Sequence, residues 1–138
     1  MKIIDRLNED GIHISFEVFP PKTDEGFDKV ASATDEMAKL APAFISVTYG
    51  AGGGTSKNTA KIATHIKDDL GVLSLAHLTC ASSTKAEVRA VIQNLKELGI
   101  ENILALRGDI PPNMTFPDKD RFRYAYELVE EIRKHGDF

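Results

Sequence analysis

Residues 72–109 read VLSLAHLTCASSTKAEVRAVIQNLKELGIENILALRGD. The run 72–79 is short and apolar and predicts a strand. Thr84 and Glu87 have the spacing of a capping box and predict the start of a helix that continues through Leu98. Val88, Val91, Ile92, Leu95 and Leu98 fall on one face of that helix, and Gly99 stops it. Residues 102–107 predict the next strand. Strand, helix and strand within this length make one βαβ unit, so the two strands are parallel.

The same rhythm extends in both directions. Toward the N-terminus, 44–49 predicts a strand and 56–70 a helix, with the glycine-rich turn AGGG (51–54) between them and Gly71 as a stop. Before these, 14–19 predicts a strand and 25–40 a helix. Toward the C-terminus, the loop DIPPNMTFPDKD (109–120) leads to a helix predicted over 121–135, with Phe122, Ala125, Leu128, Val129 and Ile132 on its apolar face. Strand starts recur about every 30 residues, the length of a βα unit. Helices should therefore cover a parallel sheet. Two architectures fit: an open doubly wound sheet and a (β/α)8 barrel. The first suits the length, but no glycine fingerprint follows the first strand. The second needs roughly 250 residues, and the chain has 138. Four βα units with a fifth strand due after HGDF lead to the expectation of a half barrel, truncated before its fifth strand.

Bulk composition narrows the function. Net charge is −4, with 17 Lys+Arg against 21 Asp+Glu, and no basic block marks a nucleic-acid partner. No apolar run approaches the roughly 18 residues of a membrane span. The one cysteine, Cys80, allows no internal disulfide and fits a reducing, cytoplasmic location. It reads most simply as a small buried apolar residue. Four scattered histidines and one cysteine give no metal-ligand spacing.

In parallel α/β folds the chemistry sits at the C-terminal ends of the strands. Polar residues stand there in every predicted strand: Glu17, then Thr48 and Tyr49, then His77, Thr79 and Cys80, then Arg107 and Asp109. Each has an ordinary reading too. Glu17 would serve as a structural ion-pair partner, His77 as a satisfied core histidine, the threonines as strand formers, and Arg107 with Asp109 as an ion pair closing a loop. The apolar neighbours Phe16, Val18 and Phe19 imply that Glu17 is withdrawn from water. The prolines Pro20 and Pro21 end its strand because neither offers an N–H to the ladder.

Taken together, SFEVFPPK (15–22), FISVTYGAGG (44–53), AHLTC (76–80) and ILALRGDIPP (103–112) resemble the blocks of the methylenetetrahydrofolate reductase family. The order and spacing match over nearly the whole chain. The resemblance implies a TIM (β/α)8 barrel, with this chain as the first four βα units and residues 1–138 as the N-terminal half of one domain. It implies a flavin-dependent oxidoreductase that uses FAD and NADH or NADPH to reduce 5,10-methylenetetrahydrofolate to 5-methyltetrahydrofolate, in one-carbon metabolism and methionine biosynthesis. Glu17 maps to the family's general acid, and Asp109 to an aspartate near flavin and folate. Thr48, Tyr49, Ala51, His77, Arg107, Gly108, Tyr124 and Ala125 map to cofactor contacts. The implied partner is a small-molecule folate, with no nucleic acid, no membrane and a homo-oligomer at full length. The half barrel alone is expected to be inactive. The competing reading is a non-catalytic module that keeps the fold, against which the intact Glu17 and Asp109 argue.

Overall fold

The computed structural model describes residues 1–21, 24–50 and 56–138. In chain order it has helix α1 (Ile3–Leu7), strand β1 (Ser15–Val18), a 3-10 turn (Asp24–Gly26) running into α2 (Phe27–Ala38), and β2 (Phe44–Val47). Next come α3 (Ser56–Thr64) with a π-helical turn (His65–Asp69), β3 (Ser74–Thr79), α4 (Lys85–Glu97), β4 (Ile103–Leu106) and α5 (Ala125–His135). Every predicted strand is present within two residues of its expected bounds.

Three local features depart from expectation. The sequence reading did not anticipate α1. It is short, and its Ile3 N–H is held by the Asn102 side chain at 2.8 Å, a contact 99 residues away in sequence. The third helix closes with the π turn, where the Leu70 N–H reaches His65 O. The last helix begins at Ala125 rather than Arg121. Residues before it are tied elsewhere: the Arg121 N–H bonds Asp118 O, and the Lys85 N–H at the start of α4 takes Asp120 O at 2.7 Å. Phe122 is buried as its periodicity implied, but from this loop.

The capping box is formed as read. The Thr84 hydroxyl accepts from the Glu87 N–H at 3.2 Å, and the Thr84 N–H donates to Glu87 Oε2 at 2.7 Å. The Thr84 hydroxyl also donates to Glu87 Oε2 at 2.9 Å, and the bonds from the Thr84 N–H and hydroxyl hold the Glu87 carboxyl below its ordinary range.

The four strands pair in sequential order β1-β2-β3-β4, all parallel. A doubly wound sheet would reverse its order partway. Sequential parallel order with crossovers of one hand would place the connecting helices on one side, and the packing of α2 to α5 agrees. Val18, Ile45, Val47 and Ala76 face Ile62, Ala63 and Ile66 of the α3 region and Leu95 of α4. Leu78 and Cys80 pack with Val88 and Ile92 of α4 and Leu128 and Ile132 of α5. Side chains such as Ile45, Ile62 and Ile66 are fully withdrawn from water, each worth about 1.5–3 kcal/mol by transfer. A singly wound parallel sheet with helices on one face is consistent with part of a barrel.

Because strand side chains alternate, the register identifies the other face. It carries Glu17, Ser46, Leu75, His77, Thr79, Leu104 and Leu106. None of these belongs to the helix-side clusters among the described residues, and Leu104 is 39% exposed.

Candidate functional site

The uncovered face brings three polar side chains from three adjacent strands together. Glu17 and Ser46 are direct partners across β1 and β2. The Ser46 hydroxyl donates to Glu17 Oε2 at 3.3 Å and to Phe16 O at 3.4 Å. His77 on β3 brings Nε2 to 3.5 Å from the same carboxylate oxygen. That contact lies in ion-pair range but does not have hydrogen-bond geometry, and buried Nε2 has no hydrogen-bond partner among the described residues. Burial lowers the His77 pKa, against a smaller opposing pull from Glu17. The ring is therefore neutral near neutral pH and places no cation beside the carboxylate.

Glu17 corrects the sequence reading. Its side chain is 48% exposed, whereas apolar flanks were expected to bury it. Neighbours in sequence are not neighbours in space here. The pleat sends Phe16 and Val18 to the helix side, and Phe19 is itself exposed. Desolvation by those flanks is therefore absent from this chain.

Past the strand ends lies a cavity of about 440 Å³ lined by Tyr49, Thr79, Ser82, Gly108, Asp109 and residues 110–112. Thr79 follows His77 on the same face of β3, so this cavity continues the polar face. Apolar walls from Ile110, Pro111 and Pro112 with a few polar groups suit a partly apolar small molecule. A second cavity, about 470 Å³, opens at the opposite end of the strands around Met1, Arg6 and Leu73. It shares no residue with the polar face.

The loop after β4 is built on close contact. Arg107 O accepts from the N–H groups of Cys80 and Ala81 at 3.2 and 2.8 Å, which ties the end of β4 to the end of β3. Gly108 has φ +75°. A Cβ placed on it would meet Thr79 Cβ at 2.8 Å. Arg107 turns its Nε to Gly108 O at 3.2 Å. No ion pair joins Arg107 to Asp109 among the described residues, so the loop-closing reading of that pair is not what forms. Asp109 lines the cavity.

The remaining expected residues are placed as follows. The Thr48 N–H bonds Val18 O, and Thr48 O accepts from Thr59 of α3. Tyr124 is the N-cap of α5 and Ala125 its first residue. The Tyr124 ring is exposed and stacks on Tyr126, with centroids 5.9 Å apart. Ala51 and the AGGG turn lie outside the described residues. Cys80 is fully buried, as expected of a small apolar residue, and burial pushes its thiol up.

Sequence reasoning missed Ser46. Nothing in FISV marks it as different from an ordinary strand serine. Only the register, which pairs it with Glu17, does so. It also missed Ser82 and the wall formed by residues 110–112.

A profile of the methylenetetrahydrofolate reductase family matches residues 2–138. The chain is 39% identical over 127 residues to 5,10-methylenetetrahydrofolate reductase of Escherichia coli (strain K12), a match covering 92% of this chain and 42% of that protein. The same enzyme of Pectobacterium carotovorum is also 39% identical, with 41% of its length covered. A rice relative named probable methylenetetrahydrofolate reductase (NADH) is 38% identical over 148 residues, covering all of this chain and 24% of that protein. The chain thus spans about four-tenths of the length of these bacterial relatives.

Proposed function

The chain belongs to the methylenetetrahydrofolate reductase family, and we propose that it forms the first four strands of an eight-stranded barrel that reduces 5,10-methylenetetrahydrofolate to 5-methyltetrahydrofolate. The observation that carries the reading is the meeting of Glu17 and His77 on the open face, beside a cavity that holds Asp109. In a closed barrel that face is the interior, and its C-terminal rim is where chemistry sits.

FAD, when bound, supplies hydride transfer between NAD(P)H and the folate. The residues that would hold it are Thr48, Tyr49, Ala51, His77, Arg107, Gly108, Tyr124 and Ala125. The orphaned His77 Nε2 and the apolar wall at 110–112 support that fit. Arg107 offers a planar fork of donors to ring or phosphate oxygens.

The folate's five-membered ring must open to an iminium cation before it accepts hydride. Opening needs a proton on the leaving nitrogen, and Glu17 donates it as general acid. Asp109, as a carboxylate at the cavity, favours the cation electrostatically. A remaining half of the barrel would cover the open face and withdraw Glu17 from water, which the exposed position in this chain lacks. The reading carries with it a cytoplasmic homo-oligomer with a small-molecule folate substrate and no nucleic-acid partner. No helix among the described residues is long and apolar enough to cross a membrane.

Glu17→Gln in the flavin-loaded, full-length protein tests the assignment. Cofactor reduction by NAD(P)H should persist, while folate reduction falls by roughly 100-fold or more. Unchanged folate reduction would remove Glu17 as the acid.

A further inference from the structure

We propose that Ser46 is a positioning residue for Glu17: its hydroxyl engages Oε2 and leaves Oε1 as the oxygen that delivers the proton. This rests on the reading of Glu17 as the general acid.

The register carries the argument. Ser46 is the direct cross-strand partner of Glu17, and both contacts to the carboxylate fall on one oxygen. Ser46 Oγ lies 3.3 Å from Oε2 and His77 Nε2 lies 3.5 Å from it. Among the described residues, no donor is bonded to Oε1. Strands β1 and β3 are two ladder spacings apart, roughly 10 Å. Glu17 and His77 can meet only by reaching across β2, and a small side chain at position 46 leaves that space open. Ser46 is therefore both small and a donor, and alanine would keep the first property and lose the second.

The hydroxyl is 6% exposed by residue and has two acceptors within reach, Phe16 O and Glu17 Oε2. One O–H proton serves both. While Glu17 is protonated on Oε1, Oε2 is a carbonyl-type acceptor much like Phe16 O. As the proton leaves Oε1 for the substrate nitrogen, negative charge spreads onto Oε2. The Ser46 hydrogen bond then becomes charge-assisted and strengthens. An interaction that grows as the proton transfers lowers the barrier instead of merely tightening binding. No bond to Ser46 forms or breaks, and the proton lost by Glu17 is gained by the leaving nitrogen.

The test is Ser46→Ala in the full-length, flavin-loaded protein, with the two half-reactions measured separately. Folate reduction should slow about tenfold, the loss of one hydrogen bond to a developing charge. Cofactor reduction by NAD(P)H should stay within about twofold, because Glu17 donates no proton in that half. A purely structural role would slow both halves together, and that result overturns the proposal, as does an unchanged folate step. Combined with Glu17→Gln, Ser46→Ala should cost nothing further, since the group it positions is gone. If Glu17→Gln alone leaves folate reduction intact, the reading of Glu17 fails. If Glu17→Gln abolishes it and Ser46→Ala does not slow it, only the positioning role fails.

Discussion

Gly108 lies so close to Thr79 that a Cβ added to it would sit 2.8 Å from Thr79 Cβ and 3.2 Å from Cγ2. Two strand ends meet there at the rim of the cavity, and the contact leaves no room for a side chain. Gly108 also holds φ +75°, which other residues enter at a cost. Gly108→Ala is expected to destabilise the chain by roughly 2–4 kcal/mol, combining left-handed backbone strain with overpacking. Urea denaturation measures this. An unchanged midpoint would mean that the loop moves aside without cost.

Glu131 of α5 predicts an acid-side loss of stability. Its side chain is 7% exposed. The hydrogen bond from Arg89 Nε at 2.6 Å holds its carboxyl down to about 2, helped by His135 and Lys134. A depressed carboxylate stabilises the fold above its unfolded value near 4.5. That contribution is lost as pH falls from there toward about 2. Glu131→Gln should cost about 1.5 kcal/mol at neutral pH, the low end for a hydrogen bond to a charge, because Arg89 is half exposed. It should also flatten the stability curve across that acid window. Denaturation midpoints at a series of pH values decide.

His65 predicts the opposite sign. Its Nδ1 lies 2.7 Å from Asp69 and its Nε2 lies 2.8 Å from Asp35 of α2, so both ring nitrogens face carboxylates. Burial of the ring opposes charging, but the two hydrogen bonds and the two charges outweigh it and raise the pKa above 6.5. A raised histidine stabilises fully below the unfolded value and loses that contribution as pH rises through the folded one. His65→Gln should therefore lower the melting temperature at pH 6 and have less effect at pH 8. Equal effects at both would argue that the ring acts by packing alone.

Thr84→Ala removes the hydroxyl that accepts the Glu87 N–H at the start of α4. The cost should be about 1 kcal/mol. Restoration by Thr84→Ser, and no restoration by Thr84→Val, would assign the effect to the cap.

The 138-residue chain by itself should bind FAD weakly or not at all and oxidise no NADH. Among the described residues its polar face is uncovered, with Leu104 39% exposed, and β1 and β4 are open sheet edges. Flavin fluorescence quenching provides the measurement, and tight binding would overturn the expectation.

Much of the fold could be read directly because it is local. The Thr84/Glu87 capping box, Gly99 and the helical spacing of Val88, Ile92 and Leu95 each act over three to seven residues, and each formed as read. Arg121 shows where locality fails. Periodicity extended the last helix back to it, but hydrogen bonds to Asp118 and from Lys85 hold that stretch as a loop. Those bonds depend on α4 already being in place.

By itself, the amino-acid order determined which segments are strands and helices, their alternation, and which polar residues stand at the strand ends. Period and capping are properties of a few adjacent residues. Only the tertiary structure decided that the strands wind in one direction and that Ser46 is Glu17's partner. The same level decided that Phe16 and Val18 leave Glu17 exposed and pack on the other side of the sheet. The physical reason is the pleat and the register: alternation separates neighbours in the chain, and pairing joins residues about thirty positions apart.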